Sequence, residues 1–427
     1  MNENFELGID FAKKMDERDD LREYRKRFYL EEGEIYFDGN SLGACSIDAE
    51  ESLLKMLEIW KKEKIRLWDK HDGRYLKYPQ YIGGLFAPMI NANPNEITIT
   101  NSTTINIHQA LATFYRPSKK RYKILVDELN FPTDIHAAKS QVKLHGLNPE
   151  DAIKVVPSRD GRIIEEEDIM QAMSDDIAVA LLPSLLYRSA QLIDMHKITK
   201  AAHKKGIIIG WDLCHSIGSV PHDFEKIQAD FAVWCTYKHI SGGPGSNAGL
   251  YINKKHFGTS PGLAGWFGNK KDVQFLMSHD HIPAADANAW LTGTPSLLAM
   301  APIEGVMKIF NEAGIENIRK KSLALTDYLI FLIDNKLAKY GYVNGTPLDH
   351  NRRGGHIALE HKEAYRICQA LKEKNVIPDF REPNVIRLAP VALYCSFEDV
   401  YKVVEILEEI MIKQSFKKFS QDRTLVV

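Results

Sequence analysis

What is scarce in this 427-residue sequence removes several classes of protein at once. Only five cysteines are present, Cys45, Cys214, Cys235, Cys368 and Cys395, and no two stand at a CxxC or CxxH spacing. That argues against a zinc site or a disulfide framework and suits a reducing compartment, with the thiols as packing residues. Neither sign of charge dominates. The 55 Lys and Arg stand against 57 Asp and Glu, a net charge of -2, so the expected partner is a small molecule, not nucleic acid or an anionic membrane. No apolar run is long enough to span a bilayer, since the longest, around IAVALLPSLL, is short and broken by proline. The first twenty residues are charged and lack an apolar signal core, so a cytoplasmic protein is expected. Repeats, low-complexity tracts and long linkers are also missing.

What is there is a large supply of apolar residues, 44% of the chain, enough for a sizeable core. Six apolar, β-rich runs (96–100, 123–129, 152–156, 177–182, 207–213 and 231–237) alternate with helix-like segments such as 134–145, 165–174 and 195–205. Continuous apolar strands separated by helices predict a mixed, mostly parallel sheet covered on both faces, an α/β domain over about residues 51–300. Residues 302–334 read as one long helix. Beyond it GHIALEH, a helix at 362–375, the strand NVIRLAP and a final helix after Ser396 predict a smaller α+β unit, 301–427, whose last dozen residues fray. Residues 1–50 form an N-terminal segment. In open α/β sheets ligands bind at the carboxyl ends of strands, and the polar residues of this chain cluster there.

Asp212 and His215 end the apolar run IIIGWDLCHS, and Tyr237 and Lys238 end FAVWCTYKHISGGPGS, whose glycines let backbone approach a ligand. Taken singly, Asp212 reads as a helix cap and Lys238 as a solvated flank. Together they read differently. Neighbouring strand ends place a carboxylate and an amine in one crevice, which suits pyridoxal 5'-phosphate held as an imine on Lys238, with Asp212 keeping the pyridine nitrogen protonated. A phosphate needs N–H donors and hydroxyls, and Ser102, Thr103 and Thr104 lie where a strand gives way to a helix. An ordinary Ser/Thr cap is the bland alternative. Phe131 and Asp134 in FPTD follow another strand, so a ring and a carboxylate face the same crevice, although an aromatic there is more often core.

The ordered motifs IYFDGNSLG (35–43), TTINIH (103–108), RYKILVDELNFPTD (121–134), KSQVKLHGLN (139–148), GWDLCHSIGSV (210–220), FAVWCTYKHISGGPG (231–245), GWFG (265–268) and NVIRLAPVALYCSFEDVY (384–401) make the chain resemble the kynureninases of bacterial type. These are pyridoxal-phosphate enzymes of fold type I, with an aspartate-aminotransferase-like large domain. The resemblance implies that Thr103 and Thr104 bind phosphate, that Phe131 stacks on the cofactor ring, and that Asp134, Asp212 and His215 contact it. It makes Lys238 the imine lysine and Tyr237 a phosphate contact and general acid. Trp266 and Thr294 complete the phosphate site of a neighbouring subunit, so a homodimer is implied. Arg387 grips the substrate α-carboxylate, a task for its bidentate fork, while Asn40 and Ser41 line the substrate pocket. Without the family, 38–41 is only a tight loop and Arg387 a surface ion-pairing residue.

The implied reaction is hydrolysis of L-kynurenine to anthranilate and L-alanine, a Cβ–Cγ cleavage in tryptophan catabolism that also serves NAD biosynthesis. Lys238 moves the Cα proton and Tyr237 is the acid; no base for the attacking water is identifiable. Relatives preferring 3-hydroxykynurenine carry His and Ser-Asn where this chain has Trp68 and Gly293-Thr294, so Trp68 is a candidate substrate contact or, alternatively, a buried helix residue. Three positions depart from the family pattern: Pro183 where a Ser or Thr is expected, His239 for a usual Tyr, and Val385 for a common Gly. They leave open a relative acting on a substituted kynurenine. A cysteine desulfurase or selenocysteine lyase is a rival that needs an exposed nucleophilic Cys. A non-catalytic binding or regulatory subunit is the other rival, against which Asp212, Tyr237, Lys238 and Arg387 speak.

Overall fold

The computed structural model of the chain describes residues 5–422. All six expected runs are strands: Ile97–Thr100 (β1), Lys123–Asp127 (β2), Ile153–Val156 (β3), Ile177–Pro183 (β4), Ile208–Asp212 (β5) and Phe231–Trp234 (β6). A seventh, Ala248–Ile252 (β7), is not among them, because it follows a glycine-rich turn and only two of its residues are strong β formers. The sheet order is β1-β7-β6-β5-β4-β2-β3, and β7 alone runs antiparallel to its neighbours.

Alternate residues of each strand serve two cores. Ile124, Val126, Val179 and Leu181 face Ile107 and Leu111 of helix Thr103–Phe114 and Ala137 and Val142 of helix Pro132–Leu144. Leu125, Ala180 and Leu182 face the other way, into the core that holds Ile198 of helix Met195–Lys204 and Phe86 of helix Tyr78–Ile90. This double burial is why the runs read as continuously apolar. The register sets Pro183 opposite Asp212 and Asp212 opposite Val233. The carboxyl ends of β4, β5 and β6 are therefore level, and the loops that follow them share one edge.

The helix expected over 302–334 is instead two, Leu297–Ala313 and Ile315–Leu332, because Gly314 between them takes a φ of 75°, which stops the first helix. Trp68, whose alternative reading is a buried helix residue, ends the short turn Lys64–Trp68 that follows helix Ile47–Glu63. A smaller antiparallel sheet has the order Asp379–Arg381, Val385–Leu388, Ile357–Glu360, Val343–Asn344. Helix Phe397–Lys413 begins at a reciprocal cap: Ser396 Oγ accepts the Asp399 N–H, and the Asp399 carboxylate accepts the Ser396 N–H, each at 3.0 Å. Of the tail expected to fray, Ser415–Lys418 is a helical turn that buries Phe416, and 423–427 lie outside the described residues.

The N-terminal segment forms a third, two-stranded sheet and reaches both of the others. Ile35–Tyr36 pairs in parallel with Val376–Ile377, and Asp38 bridges to Ala389, while the Gly43 N–H donates to the Tyr237 carbonyl at 2.8 Å. No helix among the described residues is long and apolar enough to cross a membrane.

Candidate active site

After β6 the chain turns back on itself through hydrogen bonds from the Gly242 N–H to the Thr236 carbonyl (2.7 Å) and from the Ser241 N–H to the Lys238 carbonyl (2.8 Å). This turn aims Lys238 along the sheet edge toward the loop after β5. The residue is only 9% exposed, and its Nζ lies 2.7 Å from His215 Nε2 and 5.6 Å from the centre of the Phe131 ring. Lys238, His215 and Phe131 come from the ends of three different strands, so the shared edge brings together what the sequence separates.

Two carboxyls face this amine. Asp212 closes β5, and its Oδ1 accepts the Cys214 N–H at 2.7 Å. It therefore makes a local turn and does not cap a helix, which corrects the bland reading. Burial raises its carboxyl above the usual range, against the pull of the Cys214 hydrogen bonds and of Lys238. Asp134, in the first turn of helix Pro132–Leu144, is fully buried with both oxygens unpartnered, and burial followed by Asp212 and Asp127 pushes its carboxyl well up. Fully buried charge without a partner is costly, so this is a site organised for something else to complete it. His215 Nδ1 is likewise buried and unpartnered, and burial, then Lys238, hold the ring neutral.

At one end of the crevice, helix Thr103–Phe114 presents its N-terminus. Ser102 is exposed and makes no capping hydrogen bond, so the first-turn N–H groups are free to meet an anion, and the plain-cap reading fails. Cys214 Sγ donates to Thr103 Oγ1 at 3.8 Å and Thr104 Oγ1 lies 2.8 Å from Thr133 Oγ1, which ties both threonines to the loops after β5 and β2. At the other end stands Arg387, 1% exposed and so no surface residue. It pairs with Asp379 and donates to the Tyr187 carbonyl at 2.8 Å and to Ser41 Oγ at 2.9 Å. The Tyr187 ring meets Phe131 edge-on at 5.4 Å and His215 at 6.1 Å, joining the two ends. Asn40 is fully buried with both amide atoms unpartnered.

The departures have definite places. Pro183 ends β4, and the hydroxyl of Ser184 is spent on the Asp212 carbonyl (3.0 Å) and Ser216 Oγ (2.7 Å). Buried His239 is held at about 3 by burial and by Lys238, and Val385 pairs with Glu360 and Arg381 in the smaller sheet. Three expected site residues are not brought to the crevice within one chain. Trp266 packs edge-on against Phe267 and Phe275, Thr294 is exposed, and Trp68 packs half-buried on the core. None has a hydrogen bond or ring contact with the Lys238 cluster among the described residues. Tyr187 and Asp379 are the participants that sequence reasoning missed. Tyr187 alone carried a signal, an aromatic just past a strand end.

Residues 318–407 match the kynureninase C-terminal domain family. A kynureninase of Geobacillus thermodenitrificans (strain NG80-2) is 53% identical over 421 residues, 99% of this chain and 98% of that protein. The chain belongs to the kynureninase family. Among solved structures, this kynureninase-family fold is similar to the apo cysteine desulfurase of Thermococcus onnurineus NA1, with a TM-score of 0.77 at 17% identity over 92% of this chain and 98% of that one. It is also similar to a C-DES variant with glycine covalently linked to its PLP cofactor, with a TM-score of 0.76 at 16% identity over 90% and 99%. At such identities the likeness is one of fold.

Proposed function

We propose that the chain is a pyridoxal-phosphate-dependent hydrolase that cleaves L-kynurenine to anthranilate and L-alanine. One observation carries the reading: Lys238 is buried beside Asp212, Asp134 and His215, between an uncapped helix N-terminus and a buried arginine, within a chain of the kynureninase family.

The residues present fit the cofactor. The unpartnered oxygens of Asp134 await a polar group, His215 Nε2 and the Phe131 ring flank the amine, and Thr103 and Thr104 with their helix N-terminus suit a phosphate. When bound there, pyridoxal phosphate supplies an electron sink for the pair left at the substrate Cα. Asp212 would keep the cofactor's ring nitrogen protonated, and Lys238 Nζ would hold the cofactor and move the Cα proton. Arg387 grips the substrate α-carboxylate, and Asn40 and Ser41 close that side, which orients the bond to be broken. Tyr237 donates the proton at Cβ; burial, then Cys235 and Cys214, raise its phenol, so it stays protonated as a donor.

A dimer whose neighbour supplies Trp266 and Thr294 agrees with this reading, as does the run of exposed apolar side chains at Trp266, Phe275, Leu276 and Met277. A desulfurase needs an exposed, reactive thiol, whereas Cys395 is 3% exposed with its Sγ donating to the Tyr36 carbonyl at 3.5 Å, and burial, then Glu50, pushes the thiol of the exposed Cys45 up, away from a reactive thiolate.

Purified protein incubated with L-kynurenine should develop anthranilate fluorescence, and should release 3-hydroxyanthranilate from 3-hydroxykynurenine more slowly. Borohydride should abolish its visible absorbance band and leave the cofactor covalently attached to Lys238. Activity on cysteine without anthranilate, or turnover by Lys238→Ala, would sink the assignment.

A further inference from the structure

Three buried imidazoles stand on the Arg387 side of Lys238, and the reaction above uses only one. His215, His239 and His356 are 6%, 2% and 0% exposed. His215 spends Nε2 on Lys238, yet its Nδ1, His239 Nε2 and both nitrogens of His356 are buried without a partner. Buried polar groups are ordinarily satisfied, so four such atoms on three rings mark a polar site and not a packing core. The ring centres of His215 and His356 lie 6.3 Å apart at 62°, with no direct hydrogen bond between them.

Their backbones are fixed. A β-carbon on Gly355, beside His356, would come 2.9 Å from Ser219 Cβ, and one on Gly218 would come 3.2 Å from His239 Cβ. Both histidines are therefore packed on the turn that follows His215. The groups acting on His215 are Lys238, Arg387, His356 and His239, and those on His356 are Arg387 and His239 with the Tyr187 and Arg188 backbone. Burial foremost, then Lys238 and Arg387 for His215 and Arg387 for His356, keeps both rings neutral, against the opposing pull of the Tyr187 and Arg188 backbone on His356. A neutral imidazole has one donor and one acceptor, and the partner of one nitrogen decides what the other does. For His215 Nε2 to accept from Lys238, the hydrogen has to sit on Nδ1, and Nδ1–H needs an acceptor.

We propose that His356 is a positioning residue that, through one water, accepts the Nδ1–H of His215 and so keeps the Nε2 lone pair on Lys238 Nζ. The inference rests on the proposed activity for its rate readout alone.

The comparison is between His356→Met, which fills the space without a polar atom, and His356→Gln, which keeps a donor and an acceptor. In the cofactor-loaded enzyme the Met variant should lose about 10- to 100-fold in kcat, the usual cost of removing an outer hydrogen-bond partner, with KM for L-kynurenine nearly unchanged. It should also shift the pH at which the absorbance band of the bound cofactor titrates, while the Gln variant stays near the wild type in both. His356→Phe supplies the same comparison should the Met variant fail to fold. Apolar and Gln variants that titrate alike, whether like the wild type or equally displaced, would overturn the proposal. The absorbance titration needs no turnover, so a wild type that makes no anthranilate would defeat the activity and leave this test readable.

Discussion

Arg387 Nη2 donates to Ser41 Oγ at 2.9 Å, joining residues 346 positions apart. The Tyr187 carbonyl and Asp379 hold the same guanidinium on its other sides, so its direction is set before any ligand arrives. Preorganisation of this kind lowers what the ligand must spend on ordering the site.

Replacing Arg387 with lysine keeps the charge and loses the fork. Charge-assisted hydrogen bonds are worth about 1.5–3 kcal/mol, so Arg387→Lys should raise KM for L-kynurenine about 10- to 100-fold. Steady-state kinetics would show it, and an unchanged KM would remove Arg387 from substrate binding.

Gly43 touches the turn that carries Lys238. A β-carbon there would lie 2.3 Å from the Lys238 carbonyl oxygen and 2.1 Å from Ser241 Oγ. Gly43→Ala should therefore displace the lysine while leaving the sheet intact. Misplacement by about 1 Å can cost on the order of 100-fold, so kcat should fall by that order while the melting temperature drops only a few degrees.

Burial raises the Asp127 carboxyl to about 7, against the Leu129 N–H that it accepts at 3.0 Å. The unfolded group titrates near ~3.9, so folding favours the protonated form. That stability is complete below about pH 4 and is lost as the pH rises through about 7. Asp127→Asn should match the wild type in melting temperature at pH 4 and exceed it by several degrees at pH 8.

Asp230 behaves oppositely. Burial alone would raise its carboxyl, but His203, His256 and Lys255 at 2.7–2.9 Å, with the Ile209 N–H, hold it well below the usual range. Its stabilisation is present above about pH 4 and fades as the pH falls. Asp230→Asn should cost about 1–3 kcal/mol at pH 7, the order of a charge-assisted hydrogen bond, because its partners Lys255 and His203 are 40% and 32% exposed. Urea unfolding should show the loss shrinking at lower pH.

Lys238 and Asp212 were legible because each is a polar residue ending an apolar strand, and a level sheet edge puts strand ends together. His356 and Asp379 were not. They lie in or beside short strands of the smaller sheet, where no periodicity marks an inward-facing polar side chain, and their neighbours come from distant parts of the chain. Gly314 was read through as helix because a single glycine interrupts apolar spacing too briefly to register. Strand β7 escaped because AGLYI is short and follows turn residues. Trp266, Thr294 and Trp68 came only from resemblance, and one chain alone does not bring them to the amine.

The strand Ile35–Tyr36 finds its partner at Val376–Ile377, more than three hundred residues later. On a ribosome Ile35–Tyr36 emerges with nothing to pair with until Val376–Ile377 has been made. Asn40 and Ser41 are thus synthesised long before the partner that seats their segment. A nascent chain halted before Val376 would hold Lys238 on a finished sheet edge with one wall of its cleft still unbuilt, which delays a complete site until that later strand exists.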